Sequence, residues 1–181
     1  MTTFVALLRG INVSGQKQIR MVALRKSCEG LGLKDVRTYL QSGNVVFCAS
    51  RTGPRKLASG MRTRIAKDFG YDVEVLVLPA KELDAVAGSN PLWPRSGGEE
   101  KLFHGTFLFE PVSGERFGKL KLPVQPGERA VLVEQVVLLY CPHGYGRTKL
   151  NNGFFEKALG VRATTRNWRT VLALKDLCTR E

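Results

Sequence analysis

Three segments of the chain, residues 3–8, 73–78 and 131–140, are apolar on both alternating faces of a β-strand. A strand with water on one side alternates apolar and polar residues, because successive side chains point to opposite faces of the sheet. Segments without that alternation predict strands that are covered on both faces. An open sheet with one wet face is therefore disfavoured for this chain of 181 residues.

The first half of the chain shows strand and helix patterns in the order β-α-β-β-α-β. Apolar residues at helical spacing predict a helix that includes Leu31 and ends at Gly32, and another that runs from Pro54 to Gly70. The Ser42-Gly43 pair favours a tight hairpin turn. The strands are predicted over residues 3–8, 35–40, 44–48 and 73–78, and a short helix over 80–87.

The second half repeats that order more loosely. Helices are predicted over residues 113–120 and 150–159, and a last helix begins near Asn167, which is a good N-cap. A final strand is required near 161–165, where the pattern is weak. The remaining strands are predicted over 101–109, 129–134 and 136–140, although the last two lack a good turn residue between them and could form one long bent strand.

Two prolines and three glycines between residues 88 and 98 predict a linker. We expect a first unit at 1–88, a linker at 89–100 in which Trp93 docks onto one half, and a second unit with a terminal helix at 101–181. The order of elements in each half is that of the ferredoxin-like split βαβ fold. The predicted class is thus α+β, with two tandem ferredoxin-like (βαββαβ) units packed into one compact pseudo-dimeric chain. A true dimer could also cover the strands, so the oligomeric state stays open.

Basic residues dominate the charge, with 28 Lys and Arg against 16 Asp and Glu and a formal net charge of +12. Such an excess attracts polyanions, but net charge speaks to solubility and non-specific binding rather than to a site, which favours the alternative of a solvated surface. The four cysteines have no zinc or redox spacing and are expected to be buried thiols. Together with the absence of a signal peptide, they predict a cytoplasmic location. No apolar run reaches the ~20 residues of a membrane span, so no membrane association is expected.

Two glycine-containing loops connect a strand to a helix, over residues 9–18 and 141–149. Backbone N–H groups in such loops can hold phosphate oxygens, and both loops carry cations. The first loop differs from a P-loop because Gln16 precedes Lys17 and Gln18 replaces the magnesium-binding hydroxyl, so we do not expect ATPase chemistry. The alternative is that both loops are structural.

Nucleic-acid binding has two further candidate surfaces. Residues 162–169 place three cations around Trp168, and the helix over 54–69 carries five cations before its first acid. A helix start with Trp168 in the core and a solvated helix face are the alternatives. The third strand has Phe47 alone and the first strand has Phe4 alone, which differs from the stacking aromatics of RNA-recognition modules.

Enzyme signatures are mostly missing. The sequence has no G-x-S-x-G elbow, and its two histidines, His104 and His143, lie at unrelated positions. Cys141 and His143 are two residues apart, but a turn at Pro142 disfavours a catalytic pair. No cluster has metal-ligand spacing, so neither a metal nor a cofactor is expected, and whether the protein is an enzyme stays open.

Four ordered motifs resemble the bacterial "domain of unknown function 1697" family. They are FVALLRGINV at 4–13, VRTYLQSGNVVF at 36–47, GRTKL at 146–150 and ATTRNW at 163–168. The family usually has Ser where this chain has Thr148, and Gly where it has Ser14. The resemblance covers nearly the whole chain and implies an α+β fold with two ferredoxin-like halves, but it implies no activity.

The family motifs coincide with the loops that carry anion-binding chemistry. We therefore expect a protein that binds a small phosphorylated ligand or another polyanion, such as nucleic acid, through these basic loops. The alternatives are an enzyme acting on a small anionic substrate in a cleft between the halves, and a scaffold for a protein partner. The candidate ligand-binding residues are Arg9, Asn12, Lys17, Gln41, Asn44, Arg147, Thr148, Lys149, Arg166 and Asn167.

Overall fold

The computed structural model of the chain describes residues 1–50, 52–94 and 97–179. Contacts divide the chain into two compact units. The first comprises Met1–Asp84 together with the chain from Ala173 onward, and the second is Ala85–Leu172. The C-terminal segment thus groups with the first unit, whereas the sequence analysis placed it in the second. Two of the predicted linker residues, 95 and 96, lie outside the described residues.

The first unit contains a four-stranded antiparallel sheet in the order β2-β3-β1-β4. Its strands are β1 (Thr2–Leu8), β2 (Lys34–Tyr39), β3 (Asn44–Ala49) and β4 (Val75–Pro79). Three helices accompany them in the chain: α1 (Met21–Glu29), α2 (Pro54–Phe69) and α3 (Ala80–Gly88). As predicted, Pro54 opens α2, and Gly70 ends it in the left-handed conformation with φ 74°.

Both faces of the central strands of this sheet are buried. On one face, Phe4 and Phe47 belong to a core that also contains Leu24 of α1 and Met61 and Ile65 of α2. The opposite face is also shielded from solvent, and its buried residues are Val5, Leu7 and Val46. The prediction from the unbroken apolar pattern of residues 3–8, that both faces are covered, is therefore confirmed for β1.

The first helix ends earlier than its apolar pattern predicted. It stops at Glu29, and a tight turn follows in which the N–H of Gly32 donates to the carbonyl of Glu29 at 2.9 Å. Leu31 consequently leaves the helical face and is 39% exposed. Leu33 fills the core position instead. The prediction was wrong because the pattern could not distinguish a fourth helical turn from a turn that returns the chain to the core.

The second unit contains another four-stranded antiparallel sheet, in the order β6-β7-β5-β8. The weak signal near 161–165 corresponds to a real edge strand. The strands are β5 (Phe103–Leu108), β6 (Arg129–Val133), β7 (Val136–Tyr140) and β8 (Ala163–Asn167). The helices in this part of the chain are α4 (Gly114–Gly118), α5 (Asn152–Leu159) and α6 (Trp168–Thr179), and α6 passes into the first unit at Ala173.

The alternative of one long bent strand over residues 129–140 is wrong. β6 and β7 form a hairpin in which Val133 pairs with Val136 across a two-residue turn. Glu134 adopts φ 52° there, a conformation that Asn or Gly normally supplies, so the turn had no sequence signal. Trp93 docks on the second unit as predicted, with its ring centroid 4.9 Å from that of Phe103 and 6.4 Å from that of Trp168.

The chain is thus a mixed α+β protein in which the described residues form two four-stranded antiparallel sheets and six α-helices. Among the described residues, no helix is both long enough and apolar enough to cross a membrane.

Candidate anion-binding site

The loop between β1 and α1 is folded tightly on itself. The N–H of Asn12 donates to the carbonyl of Lys17 at 3.2 Å, and the N–H of Gln16 donates to that of Val13 at 2.9 Å. Three non-glycine residues adopt left-handed φ values, 54° at Asn12, 50° at Ser14 and 45° at Lys17. Such conformations are costly for side-chain-bearing residues, so neighbouring contacts must hold the loop in shape.

The Asn12 carboxamide holds this loop against the turn between β2 and β3. Its Nδ2 donates to the carbonyls of Ile19 at 2.9 Å and Gln41 at 2.7 Å. Its Oδ1 accepts from the N–H of Ile19 at 2.8 Å. Both amide hydrogens and the oxygen are therefore used within the fold. Asn12 positions the site rather than offering its side chain to a ligand.

Lys17 also has a partner within the fold. Its ammonium group donates to the carbonyl of Asp72 at 2.6 Å, which ties the loop to the turn before β4. The carboxylate of Asp72 is held by Arg62 through two hydrogen bonds of 2.6 and 2.7 Å, and these bonds lower its pKa. Arg9, at the start of the loop, is half-buried, and its backbone N–H donates to the carbonyl of Glu74 at 2.9 Å.

The turn between β2 and β3, which the Asn12 side chain contacts at Gln41, is itself held by buried groups. Asn44 is fully buried and donates to the carbonyl of Tyr39 at 2.8 Å and the hydroxyl of Ser42 at 2.9 Å. Gly43 has φ 76°, and a Cβ there would lie 2.7 Å from Cβ of Leu8. Only glycine fits this position, as the Ser42-Gly43 turn prediction required.

Two adjoining surface depressions lie beside this loop, and we call them together the Arg20 surface. Their volumes are about 440 and 600 Å³, and both are lined by Arg20 and Gln41. The first adds Asn12, Gly15, Gln18 and Ile19, and the second adds Met21, Val22, Ala23 and Lys26. No carboxylate occurs among these described lining residues, so two cations and three side-chain amides define the polar character of the surface.

The Arg20 surface contains the beginning of α1. Arg20 occupies the N-cap position and makes no side-chain capping hydrogen bond, because a guanidinium carries only donors. The first turn contains no acidic residue. The partial positive charge of the helix start is therefore reinforced by Arg20, whereas Lys26 lies in the last turn of α1 and adds a second cation to the lining of the surface. An anion bound on this surface would complement the helix start and both cations.

The second predicted loop, after β7, has a different structure. Arg147 and Lys149 are exposed, whereas Thr148 is 7% exposed and its hydroxyl accepts from the N–H of Leu150 at 3.0 Å. The carbonyl of Arg147 accepts from the side-chain amide of Gln125 at 2.6 Å. Two exposed cations thus stand on a loop whose hydroxyl is used within the fold.

Arg166 and Asn167 belong to β8 and the start of α6. Arg166 is buried, and its guanidinium donates to the hydroxyl of Thr164 at 2.8 Å and the carbonyl of Thr165 at 3.0 Å. Burial lowers its pKa to about 10. Asn167 accepts from the N–H of Arg169 at 3.0 Å, so it caps α6 as predicted, and Trp168 is buried in the core. Residues 162–169 thus have the geometry of a helix start with Trp168 in the core, which was the alternative to a nucleic-acid contact.

The predicted basic face of α2 is partly neutralised. Arg62 lies 2.6 Å from the carboxylate of Asp72, and Arg64 lies 2.6 Å from that of Asp68. Arg64 also approaches the carbonyl of Gly30 at 3.4 Å. The exposed cations that remain on the helix are Arg55, Lys56 and Lys67. Two of the five predicted contacts with a nucleic-acid backbone are therefore committed within the protein.

The sequence analysis missed a polar cluster around His104 in the second unit. The His104 ring stacks on that of Tyr145 with centroids 4.6 Å apart, and Nδ2 of Asn167 lies 3.3 Å from its Nε2. Burial lowers the pKa of His104 to about 4, so the ring is neutral at physiological pH. In the same cluster, the hydroxyls of Thr106 and Thr165 share a hydrogen bond of 2.8 Å. The cluster joins distant segments, so no local motif could have revealed it.

Metal-binding chemistry is not visible in the part of the chain that the structure describes. No three His, Cys, Asp or Glu side chains gather there in an arrangement that could hold a metal ion. The four cysteines are free. In Cys28 and Cys141, burial raises the thiol pKa to about 12 and about 11, which is typical of inert structural thiols.

Comparisons with known proteins place the chain in a family. No curated protein matches it. The solved structure of the conserved bacterial protein SP0830 from Streptococcus pneumoniae is 22% identical to it, with a TM-score of 0.76 over 98% of this chain and 99% of that one. At this identity the likeness shows the fold alone. The family described as "Protein of unknown function (DUF1697)" matches residues 1–138, which include two of the four motifs, and the chain belongs to that family.

Proposed function

We propose that the protein binds a small phosphorylated or otherwise anionic ligand at the Arg20 surface. The ligand's anionic group would contact Arg20, Lys26 and the backbone N–H groups that open α1. The side-chain amides of Gln18 and Gln41 would supply neutral hydrogen bonds beside it. In this account Asn12, Lys17 and Asn44 maintain the shape of the surface.

The observation that carries the proposal is the composition of this surface. It joins two cations to an uncapped helix start, and its described lining residues include no carboxylate. In a chain with 16 acidic residues, such a surface favours anions over cations. The loop after β7, with Arg147 and Lys149, stays a prediction as a further anion contact.

Isothermal titration with inorganic pyrophosphate and with adenosine monophosphate tests the proposal. A charge-assisted hydrogen bond contributes about 1.5–3 kcal/mol, so Arg20→Gln or Lys26→Gln should each lower affinity about tenfold or more. Arg25→Gln is the matched control, because Arg25 is an exposed cation on the same helix that pairs with Glu29 at 2.8 Å. It should leave affinity within about twofold.

An equal loss in all three variants would mean that the protein attracts anions only through its diffuse positive field. Absence of binding by the wild-type protein would refute the site outright. Circular dichroism of each variant separates either result from a loss of folding, since all three residues are exposed.

The same experiments also test the two alternatives, nucleic-acid binding and catalysis. Binding of labelled single-stranded RNA that is tighter than that of the small anions, and that weakens in Arg20→Gln, would identify a polynucleotide as the ligand. A protein making 6–10 phosphate contacts loses roughly 10³–10⁵ in affinity between about 50 and 200 mM salt. Chemical conversion of the probes would favour the enzyme alternative.

Three finer interpretations belong to the proposal. The sheet orders β2-β3-β1-β4 and β6-β7-β5-β8, each built from a β-α-β-β-α-β succession, support two ferredoxin-like units. Their packing as a pseudo-dimer stays a prediction. The four free cysteines support a cytoplasmic location.

A further inference from the structure

Two of the four cysteines open onto one cavity in the first unit. Cys48 of β3 and Cys178 of α6 both line a space of about 300 Å³, together with Thr3, Arg37 and Leu177. Both thiols are only partly buried, unlike Cys28 and Cys141. Neither cysteine lines the Arg20 surface, so the proposed ligand site does not explain why both thiols line the same cavity.

The sheet and the last turn of α6 bring the two thiols to this cavity. Val45 and Phe47 of β3 point into the core, so Cys48 faces the opposite side of the sheet. There its sulfur lies 3.6 Å from the hydroxyl of Thr3. The guanidinium of Arg37, on the neighbouring strand, donates to the carbonyl of Leu177 at 3.1 Å. This bond fixes the end of α6 one residue before Cys178.

We infer that Cys48 and Cys178 form a reversible disulfide that fastens the end of α6 to the sheet. Each thiol gives up one proton and one electron as the S–S bond forms. A two-electron oxidant accepts both protons and both electrons: a diazene is reduced to a hydrazine, or the O–O bond of hydrogen peroxide breaks to give two waters. A disulfide needs the two Cα atoms within about 7 Å. The Arg37 bond holds Leu177, and the residues after it lie at a helix end, where the backbone can adjust enough for Cys178 to reach that geometry.

The cavity also controls how easily the bond forms. Burial raises the pKa of Cys178 to about 11, while the positive charge of Arg37 acts in the opposite direction. The reacting species is the thiolate, so Cys178 is predominantly protonated and slow to react at neutral pH. The pair is therefore one that closes under oxidant stress rather than one that is permanently bridged.

Diamide treatment of the full-length protein, followed by proteolysis and mass spectrometry, tests this inference. We expect one linked peptide pair containing Cys48 and Cys178, and its loss after reduction. The bridge closes a loop of about 130 residues, which should raise the melting temperature by on the order of 10 °C. Cys48→Ser and Cys178→Ser should each abolish both the linked peptides and the shift.

Cys28→Ser is the matched control, because it removes a thiol that is 1% exposed and should leave the Cys48–Cys178 link unchanged. A bridge that involves Cys28 or Cys141 would overturn the inference. So would diamide-treated wild-type protein in which Cys48 and Cys178 remain free thiols or carry only separate adducts. These readouts require no ligand, so they are independent of the Arg20 surface.

Discussion

Replacing Asn12 by Ala removes the contact that holds the β1–α1 loop against the β2–β3 turn. Three hydrogen bonds of 2.7–2.9 Å are lost, two to Ile19 and one to Gln41. Each is worth about 1 kcal/mol net. Alanine must also adopt φ 54°, which Asn tolerates better, at a cost of about 1 kcal/mol. Because the site is partly exposed, we expect a total loss of about 3 kcal/mol.

Urea unfolding followed by circular dichroism measures this loss directly. In a protein of this size it corresponds to a melting temperature lower by roughly 6–12 °C. Asn12→Gly should lose about 1 kcal/mol less, because glycine adopts the left-handed conformation freely. Val13→Ala is the neighbouring control: Val13 is 58% exposed, so its truncation should change stability by less than about 0.5 kcal/mol.

A loss below about 1 kcal/mol in Asn12→Ala would refute this reasoning. The amide would then be dispensable for the loop, and Asn12 would return to the set of candidate ligand contacts. Equal losses in the Ala and Gly variants would show that the hydrogen bonds matter and the backbone conformation does not.

Three further predictions concern a close contact, a strained turn and an ion pair. Gly43→Ala should lower the free energy of unfolding in urea by about 2–4 kcal/mol, because its Cβ would lie 2.7 Å from Leu8. Gly70→Ala is the comparison: Gly70 has φ 74° but no atom within 4 Å of an added Cβ, so the loss should be about 1 kcal/mol. Glu134→Gly should stabilise the protein by about 0.5–1 kcal/mol, and an unchanged urea midpoint would contradict strain at φ 52°. Arginine hydrogen bonds lower the pKa of Asp72, so stability should fall as pH drops below about 4, and this fall should be smaller in Asp72→Asn.

The spacing of apolar residues predicted most of the fold, because residues that recur at the period of a strand or helix lie on one face of it and are buried together. The unbroken apolar strands indicated a sheet covered on both faces, and Pro54 and Gly70 marked the ends of α2. The errors occurred where the backbone departs from residue preference. Glu134 makes a hairpin turn at φ 52° without the usual turn residue, and the chain returns to the core at Leu33 instead of continuing α1 through Leu31.

The site was less predictable, because loop residues were judged by chemistry without knowledge of their partners. Asn12, Asn44 and Thr148 have the groups that bind phosphate, yet each uses them within the fold. Arg20 and Lys26 were not singled out, since their significance depends on how the loop before α1 and the turn before β3 adjoin. A hydrogen bond across 29 residues, from Asn12 to Gln41, creates that neighbourhood.

An amide chemical-shift titration of the ¹⁵N-labelled protein with inorganic pyrophosphate tests the central claim most directly. If the Arg20 surface binds anions, the largest saturable shifts should cluster in residues 12–23 and at Gln41, with the N–H groups of Val22 and Ala23 among them. Shifts centred on residues 144–149, or small shifts scattered over exposed cations throughout the chain, would contradict the account.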